Sequence, residues 1–330
     1  MLKKIIPNKL FLLLVSIILI SIFLEIGLRV LGFKPWKYIK RDLDEPITNQ
    51  YDSKIGWKPK EGVYTFPPFS QNGKHTKFTV LKDGSRFSGK IKNNFEGEAA
   101  LIGGSFTQGW AVDDKETFSW FLQKKLKKIK IKNYGVGGYG TYQSFLLLED
   151  LLKKENKIKI VIYFYINAHN SRNVGDASWL SHLSKYSRRG HLFLPYATLN
   201  SNGDLVRKKP LKYLKLPFRE YSSLITRLEK KTMRIKMYSK YKDEIKITEK
   251  IIVKINELSK KNKSKFFFIN LDSNKSNLAS QIKFSKENNI KFFDCGYAEI
   301  NDDYRVENDG HPNKKLHKIY ADCIFNSIFK

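Results

Sequence analysis

Leu101-Ile102-Gly103-Gly104-Ser105-Phe106-Thr107-Gln108-Gly109 joins two kinds of sequence pattern. A short apolar run, 99–102, precedes it. A polar, glycine-punctuated turn follows, and a helical pattern begins near Thr117. Ser105 therefore stands where a strand ends and a turn begins. That is the carboxyl end of a sheet, where open α/β folds hold their ligands. The neighbouring glycines let the backbone bend sharply and come close to a substrate. A serine that attacks esters needs such exposure, backbone N–H groups beside it and a histidine from elsewhere. An ordinary Gly/Ser turn would read the same way, so the rest of the chain decides between them.

Outward from this stretch, strand-like and helix-like runs alternate. The strand-like runs are 99–102, 131–136, 158–166, 265–271 and 290–295. The helix-like runs are 117–130, 141–156, 241–261, 275–289 and 314–327. The run 158–166 is almost continuously apolar, which suits a central parallel strand covered on both faces. Helices between successive strands predict the α/β class: a three-layer α/β/α sandwich around a mostly parallel five-stranded sheet. Residues 168–240 break the rhythm and are rich in aromatic and basic side chains, among them Trp179, Tyr186, Arg188, Arg189, His191, Phe193, Tyr196, Tyr213 and Tyr221. An insertion after the carboxyl end of a strand overhangs the site, as a lid, a recognition element or a packing excursion.

The 330 residues suit one large domain or two small ones. With 41% hydrophobic and 14% aromatic residues they can build a sizeable core, which excludes a disordered chain. Residues 10–24 are almost all apolar, and the run extends to Leu31, broken by Glu25 and Arg29. About 20 such residues span a bilayer. Glu25 and Arg29, four apart, share a helix face and can pair. Lys3, Lys4 and Lys9 precede the run and no small-x-small cleavage site follows it, so an uncleaved signal anchor is expected. Arg29, Lys34, Lys37, Lys40 and Arg41 on the far side leave charge counting undecided. The basic-then-apolar start favours an inside N-terminus, a single-pass protein of the cell membrane and an extracytoplasmic, periplasmic, globular part. The expected organisation is a basic N-terminus (1–9), a transmembrane signal anchor (10–31), a proline-bearing stalk and lead-in (32–97) and the α/β domain (98–330) with its insertion (168–240). Short strands are expected at 63–66 and 77–81, with a turn at Asp83-Gly84.

The net charge of +29 fits either an anionic partner or a merely lysine-rich composition, for the lysines are spread along the chain. There is no arginine-rich tract, zinc-finger spacing or RNA-binding aromatic motif, and nucleic acid is not expected as a partner. Cys295 and Cys323 make neither a disulfide framework nor a zinc site. They are expected as unlinked buried thiols unless the last strand and last helix touch. No metal-ligand spacing or phosphate loop occurs, so no cofactor is expected.

The histidine that Ser105 needs stands in Asp309-Gly310-His311-Pro312-Asn313, a loop after the last strand-like run. His311 can act as general base, and Asp309 can hold its imidazole and stabilise the charged form. Gly138, in Val136-Gly137-Gly138-Tyr139-Gly140, can present a backbone N–H to an oxyanion, and the Asn167 amide can add another donor. Taken together, these blocks resemble the SGNH, or GDSL-like, hydrolases. Gly103-Gly104-Ser105 resembles the family's first block, Gly138 its second-block glycine, Asn167 its third-block asparagine, and Asp309 with His311 its last block. The resemblance covers 98 to the C-terminus and implies a flavodoxin-like SGNH fold. It also implies a catalytic set of Ser105, Asp309 and His311, an oxyanion hole of Ser105, Gly138 and Asn167, and no cofactor. Residues 24–32, Leu-Glu-Ile-Gly-Leu-Arg-Val-Leu-Gly, look like bacterial envelope members of the group.

Three departures stand out. Gly104 replaces the first-block aspartate. Tyr165-Ile166-Asn167-Ala168 replaces Gly-x-Asn-Asp. The aspartate lies two residues before the histidine rather than three, with Asn308 in the third place. The shorter spacing resembles alginate-type O-acetyltransferases. The resemblance thus implies a serine-dependent hydrolase of O-acyl, foremost O-acetyl, esters of an envelope glycan or lipid, working through an acyl-serine. It also leaves open an O-acyltransferase on a surface polysaccharide and a non-catalytic glycan-binding protein. The expected partners are an acylated small molecule or glycan and, through the N-terminal helix, the membrane. The oligomeric state stays open.

Overall fold

The computed structural model describes residues 5–37, 45–69, 73–90, 94–154, 157–185, 193–237, 243–297 and 301–330. Lys3, Lys4, Lys40, Arg41, Tyr186, Arg188, Arg189 and His191, named above, lie outside the described residues. Helix α1 (Ile5–Val30) carries the N-terminal apolar run. Its segment Lys9–Val30 is long and apolar enough to cross a membrane, the one such helix among the described residues. Residues 32–97, read as stalk and lead-in, carry two antiparallel hairpins. One is β1 (Asn49–Asp52) with β2 (Gly56–Pro59), the other β3 (Gly62–Phe66) with β4 (Thr76–Val80). Trp36, Trp57, Phe66, Phe78 and Val80 in this region are buried.

From Gly97 the expected alternation appears. In order come β5 (Gly97–Gly103), α2 (Ser105–Gln108), α3 (Phe118–Lys125), β6 (Ile129–Gly135), α4 (Thr141–Lys154) and β7 (Ile158–Tyr165). The insertion then supplies α5 (Ala168–Asn173), α6 (Ala177–Leu183), the antiparallel hairpin β8 (Phe193–Leu199) with β9 (Leu205–Lys212), and α7 (Ser223–Met237). The chain closes with α8 (Glu244–Lys261), β10 (Lys265–Asn270), α9 (Leu278–Glu287), β11 (Lys291–Asp294) and α10 (Lys314–Ile324).

The five long-range strands form one sheet in the order β11-β10-β7-β5-β6, every neighbour parallel. Read from the β6 edge, the strands run second, first, third, fourth, fifth along the chain, the flavodoxin-like winding. The order reverses at β5, so its carboxyl end, at Gly103, opens on the crevice where this winding places ligands. Alternate residues bury opposite faces. Ala100, Ile102, Val161, Tyr163 and Phe268 pack with α4, α8 and Phe284 of α9. Ala99, Leu101, Ile162, Phe164 and Ile269 pack with Phe118 and Leu122 of α3 and with Leu316, Tyr320 and Ile324 of α10. These are the three layers expected from the sequence.

Several boundaries differ. The helix expected over 117–130 stops at Lys125. Gln123 turns the chain by donating to the Leu126 and Ile129 carbonyls and accepting from the Ile131 N–H, so Ile129 already belongs to a strand. The helix expected from Lys275 begins at Leu278. Ahead of it, Asp272 and Asn274 side chains bond the backbone N–H groups of Asn274 and Ser276, local bonds that compete with helix. The expectation of unlinked thiols is corrected: Cys295 and Cys323 form a disulfide with their Cα atoms 5.8 Å apart. The end of β11 and helix α10 pack into the same core layer, the condition under which pairing was open.

Candidate active site

Ser105 opens α2 directly after β5, with Gly103 and Gly104 between them. Gly103 has φ +156°, and a Cβ there would lie 2.8 Å from the Phe164 carbonyl oxygen, so glycine is required for the turn. The loop after the hydroxyl-bearing turn is pinned by Arg86. Its buried guanidinium donates to the Gln108, Gly109 and Val112 carbonyls and pairs with buried Asp114 at 3.3 Å.

The structure brings Ser105, His311 and Asp309 together. Ser105 Oγ lies 2.8 Å from His311 Nε2, and His311 Nδ1 lies 2.5 Å from Asp309 Oδ1. The other carboxylate oxygen of Asp309 accepts from Trp110 Nε1 at 3.2 Å. The spacing of two residues works because the loop turns within it. Asn308 has φ +60° and Gly310 φ +83°. The loop is closed by the Val306 N–H donating to the His311 carbonyl at 2.8 Å and by Arg305 Nη1 donating to the Gly310 carbonyl at 2.6 Å. Burial alone would push the Asp309 carboxyl up. The hydrogen bond and charge of His311, with donation from Trp110, outweigh burial and hold it below the usual carboxylate range. Asp309 is therefore ionised at neutral pH and can balance a protonated His311.

The donors beside the serine come from two strand ends. Neither the Ser105 nor the Gly138 backbone N–H donates to another group among the described residues. Gly138 has φ +84°, and a Cβ there would sit 3.1 Å from the Trp57 ring and 3.2 Å from the Trp179 ring. Gln108 Oε1 accepts from the Gly137 N–H at 2.9 Å, and Trp57 Nε1 donates to the Gly137 carbonyl at 3.1 Å, which fixes the loop around Gly138.

Asn167 is the exception, and its expected place in the oxyanion hole is corrected. Its Nδ2 donates to the Asn274 carbonyl at 3.4 Å, and its Oδ1 accepts from Tyr165 Oη and Asn277 Nδ2. The amide is drawn into the loop that follows β10 and does not line the cleft. Arg172 of α5 lines it instead, with Nη1 donating to the Tyr139 carbonyl at 3.0 Å and the guanidinium 4.3 Å over the Trp179 ring.

Gly104 also has a structural cause. A Cβ there would lie 2.6 Å from His169 Nε2 and 3.4 Å from Arg172 Nη1, so the pocket an aspartate would need is filled by His169. The His169 Nδ1 is 2.8 Å from Tyr163 Oη, itself 2.7 Å from Thr141 Oγ1. Burial, and then the charge of Arg172, hold the His169 pKa well below the ordinary value, so this histidine is neutral.

The cleft above Ser105 has a volume of about 120 Å³ and is walled by Trp57, Trp110 and Trp179. Sequence reading missed Trp57 and Trp110 as wall residues, and missed Arg86 and Arg172. Trp57 lies in the segment read as stalk, and no local pattern joins it to Ser105. Among the described residues no cluster of three metal-ligating side chains occurs.

No protein-family model matches the chain, and no curated protein matches it significantly. Solved structures do show similarity. A member of the lipolytic G-D-S-L family from Veillonella parvula is 13% identical, with a TM-score of 0.41, over 71% of this chain and 98% of that one. An acetyl xylan esterase from Geobacillus stearothermophilus is 12% identical, with a TM-score of 0.41, over 71% of this chain and 95% of that one. A psychrotrophic esterase from Pseudoalteromonas is 14% identical, with a TM-score of 0.38, over 71% and 97%.

Proposed function

We propose that the chain is a serine esterase of the SGNH, or GDSL-like, kind, held at a membrane by α1 and acting on short O-acyl esters. The observation that carries this reading is the continuous relay from Ser105 Oγ through His311 to Asp309, set beside two backbone N–H groups without partners among the described residues. In the first step His311 Nε2 takes the Ser105 proton as Oγ bonds to the ester carbonyl carbon. The carbonyl oxygen becomes an oxyanion, received by the N–H groups of Ser105 and Gly138. Asp309 stabilises the imidazolium. His311 then gives its proton to the leaving alkoxide as the C–O bond breaks, which leaves an acyl-serine. Water, deprotonated by His311, attacks that ester, and collapse returns the proton to Ser105.

The small cleft with its three tryptophans suits an acetyl-sized acyl group rather than a long chain. The Cys295–Cys323 disulfide supports the extracytoplasmic side, since disulfides persist in oxidising compartments. A second reading replaces water by a sugar hydroxyl and makes the protein an O-acyltransferase of an envelope glycan. It is supported by a second cavity beside the cleft, which shares His182 with it and gives an acceptor room.

The test is p-nitrophenyl acetate turnover by the full chain in detergent, with and without an added oligosaccharide. Nitrophenol release that needs Ser105 and ignores the sugar supports hydrolysis. Release stimulated by the sugar, with an acetylated product, supports transfer. Release by Ser105→Ala equal to that of the wild type overturns both.

A further inference from the structure

The second cavity has a volume of about 560 Å³ and lies between α6 and α7 in the insertion. Its charged walls are Lys185, just past α6, and Lys230 and Arg234, one turn apart on α7. Against these three cations stands one carboxylate, Asp176, whose Oδ1 already accepts from the Ser178 N–H at 2.9 Å as the cap of α6. Among the described residues no carboxylate comes within ion-pair distance of Lys185, Lys230 or Arg234. Lys230 and Arg234 are exposed and Lys185 is half-buried, whereas the buried Arg219 of the insertion is neutralised in place by Glu229 at 2.9 Å. Serine hydroxyls of Ser178 and Ser181 add neutral hydrogen-bonding groups to the same wall. His182 lines both cavities, and its ring stacks on Trp179, with centroids 5.4 Å apart, so the basic cavity adjoins the cleft over Ser105.

We propose that this cavity is a subsite for an anionic sugar, one carrying a phosphate or carboxylate, which the insertion holds beside the Ser105 cleft. The inference deepens the esterase reading and rests on it for the meaning of the site. The binding itself does not need a working serine. Two cations one helical turn apart, with a third across the cavity, form a cradle for anionic oxygens, and charge-assisted hydrogen bonds are the strong ones. Burial first, and then the neighbouring charges of Lys185 and Arg227, lower the Lys230 pKa. An anionic ligand relieves that repulsion, and the hydroxyls of Ser178 and Ser181 stand on the same wall to meet those of the sugar.

The experiment uses the full-length Ser105→Ala protein in detergent and follows tryptophan fluorescence, to which Trp179 contributes, during titration with glucose 6-phosphate, glucuronate and glucose. One or both anionic sugars should bind at least about 10-fold more tightly than glucose, and the Lys230→Gln/Arg234→Gln variant should lose about 10-fold or more of that affinity. Lys230→Arg/Arg234→Lys should recover most of it, and the thermal midpoint identifies a variant that has merely unfolded. Which anionic sugar binds better tells phosphate from carboxylate. Equal binding of all three sugars overturns the proposal. So does an equal loss in Lys153→Gln/Lys154→Gln, which would mark a general effect of surface charge. Because binding is read on the Ser105→Ala protein, its failure is separate from a failure of the esterase reading, which p-nitrophenyl acetate turnover reports.

Discussion

Ser105, His311 and Asp309 come from opposite ends of the domain, and their distances fit each side chain to the role proposed for it. Asp309 bonds His311 on one oxygen and Trp110 on the other, so it orients the imidazole and is itself held. Asp309→Asn keeps the shape and removes the charge. It should lower kcat for p-nitrophenyl acetate by roughly 10³–10⁴, and a loss under 10-fold would remove Asp309 from the mechanism. A second titratable residue links acidity to stability. His317 is buried, accepts from the Phe118 N–H at 3.3 Å, and has its pKa lowered to about 3 by burial first and by the charges of Arg86 and His311. A depressed histidine leaves the unfolded chain binding more protons between about pH 3 and pH 6.5, so its contribution is complete above about 6.5 and is lost as pH falls. At pH 5 the loss is roughly 2 kcal/mol. Urea unfolding at pH 7.5 and pH 5 should therefore show a gap that shrinks by about that amount in His317→Gln. Ser105, Asp309 and His311 were legible because a small motif marks each one, Ser105 directly at a strand end and the other two in the loop ahead of α10. Asn167 was misplaced because a strand end fixes where a residue sits and not where its amide points, and here Tyr165 and Asn277 hold it.

At the scale of elements, periodicity found every strand of the main sheet and every helix that covers it. The errors fell where side chains rather than propensity end an element, at Gln123 and at the Asp272–Asn274 turn. What could not be read was how the lead-in hairpins return to the site. Trp57 reaches Gly137 across 80 residues, and Arg86 grips the loop after Ser105 across more than 20. Contacts between segments so far apart leave no periodic trace. The disulfide is a further such contact, and it has a consequence for the site. Cys295 and Cys323 are 28 residues apart, and the loop of Asp309 and His311 lies between them. Closing a loop of that size stabilises by about 3–4 kcal/mol in the chain-entropy account. Cys295→Ala/Cys323→Ala should lower stability in urea by about that much, with p-nitrophenyl acetate turnover reduced as the loop loosens. Unchanged stability and turnover would mean that the bridge does not support the site.

Across the whole molecule, the apolar N-terminal helix and the insertion are joined. Glu25 of α1 accepts from Ser222 Oγ at 2.8 Å and from the Ser223 and Leu224 N–H groups at 2.9 Å, capping α7. Arg29 pairs with Glu25 at 2.6 Å and donates to the Tyr221 carbonyl. The helix that walls the basic cavity thus starts at the end of the membrane-length helix, so the two features read separately from sequence form one frame. The apolar N-terminal helix, the reversal of strand order at β5 and the basic cavity all surround one hydroxyl, and its nucleophilicity is the central property to test. The direct measurement is a fluorophosphonate reaction with the full chain in detergent, read by intact mass and peptide mapping. One adduct is expected, on Ser105, absent from Ser105→Ala and slowed by orders of magnitude in His311→Ala. No adduct, or an adduct elsewhere while Ser105 stays free, would contradict that expectation.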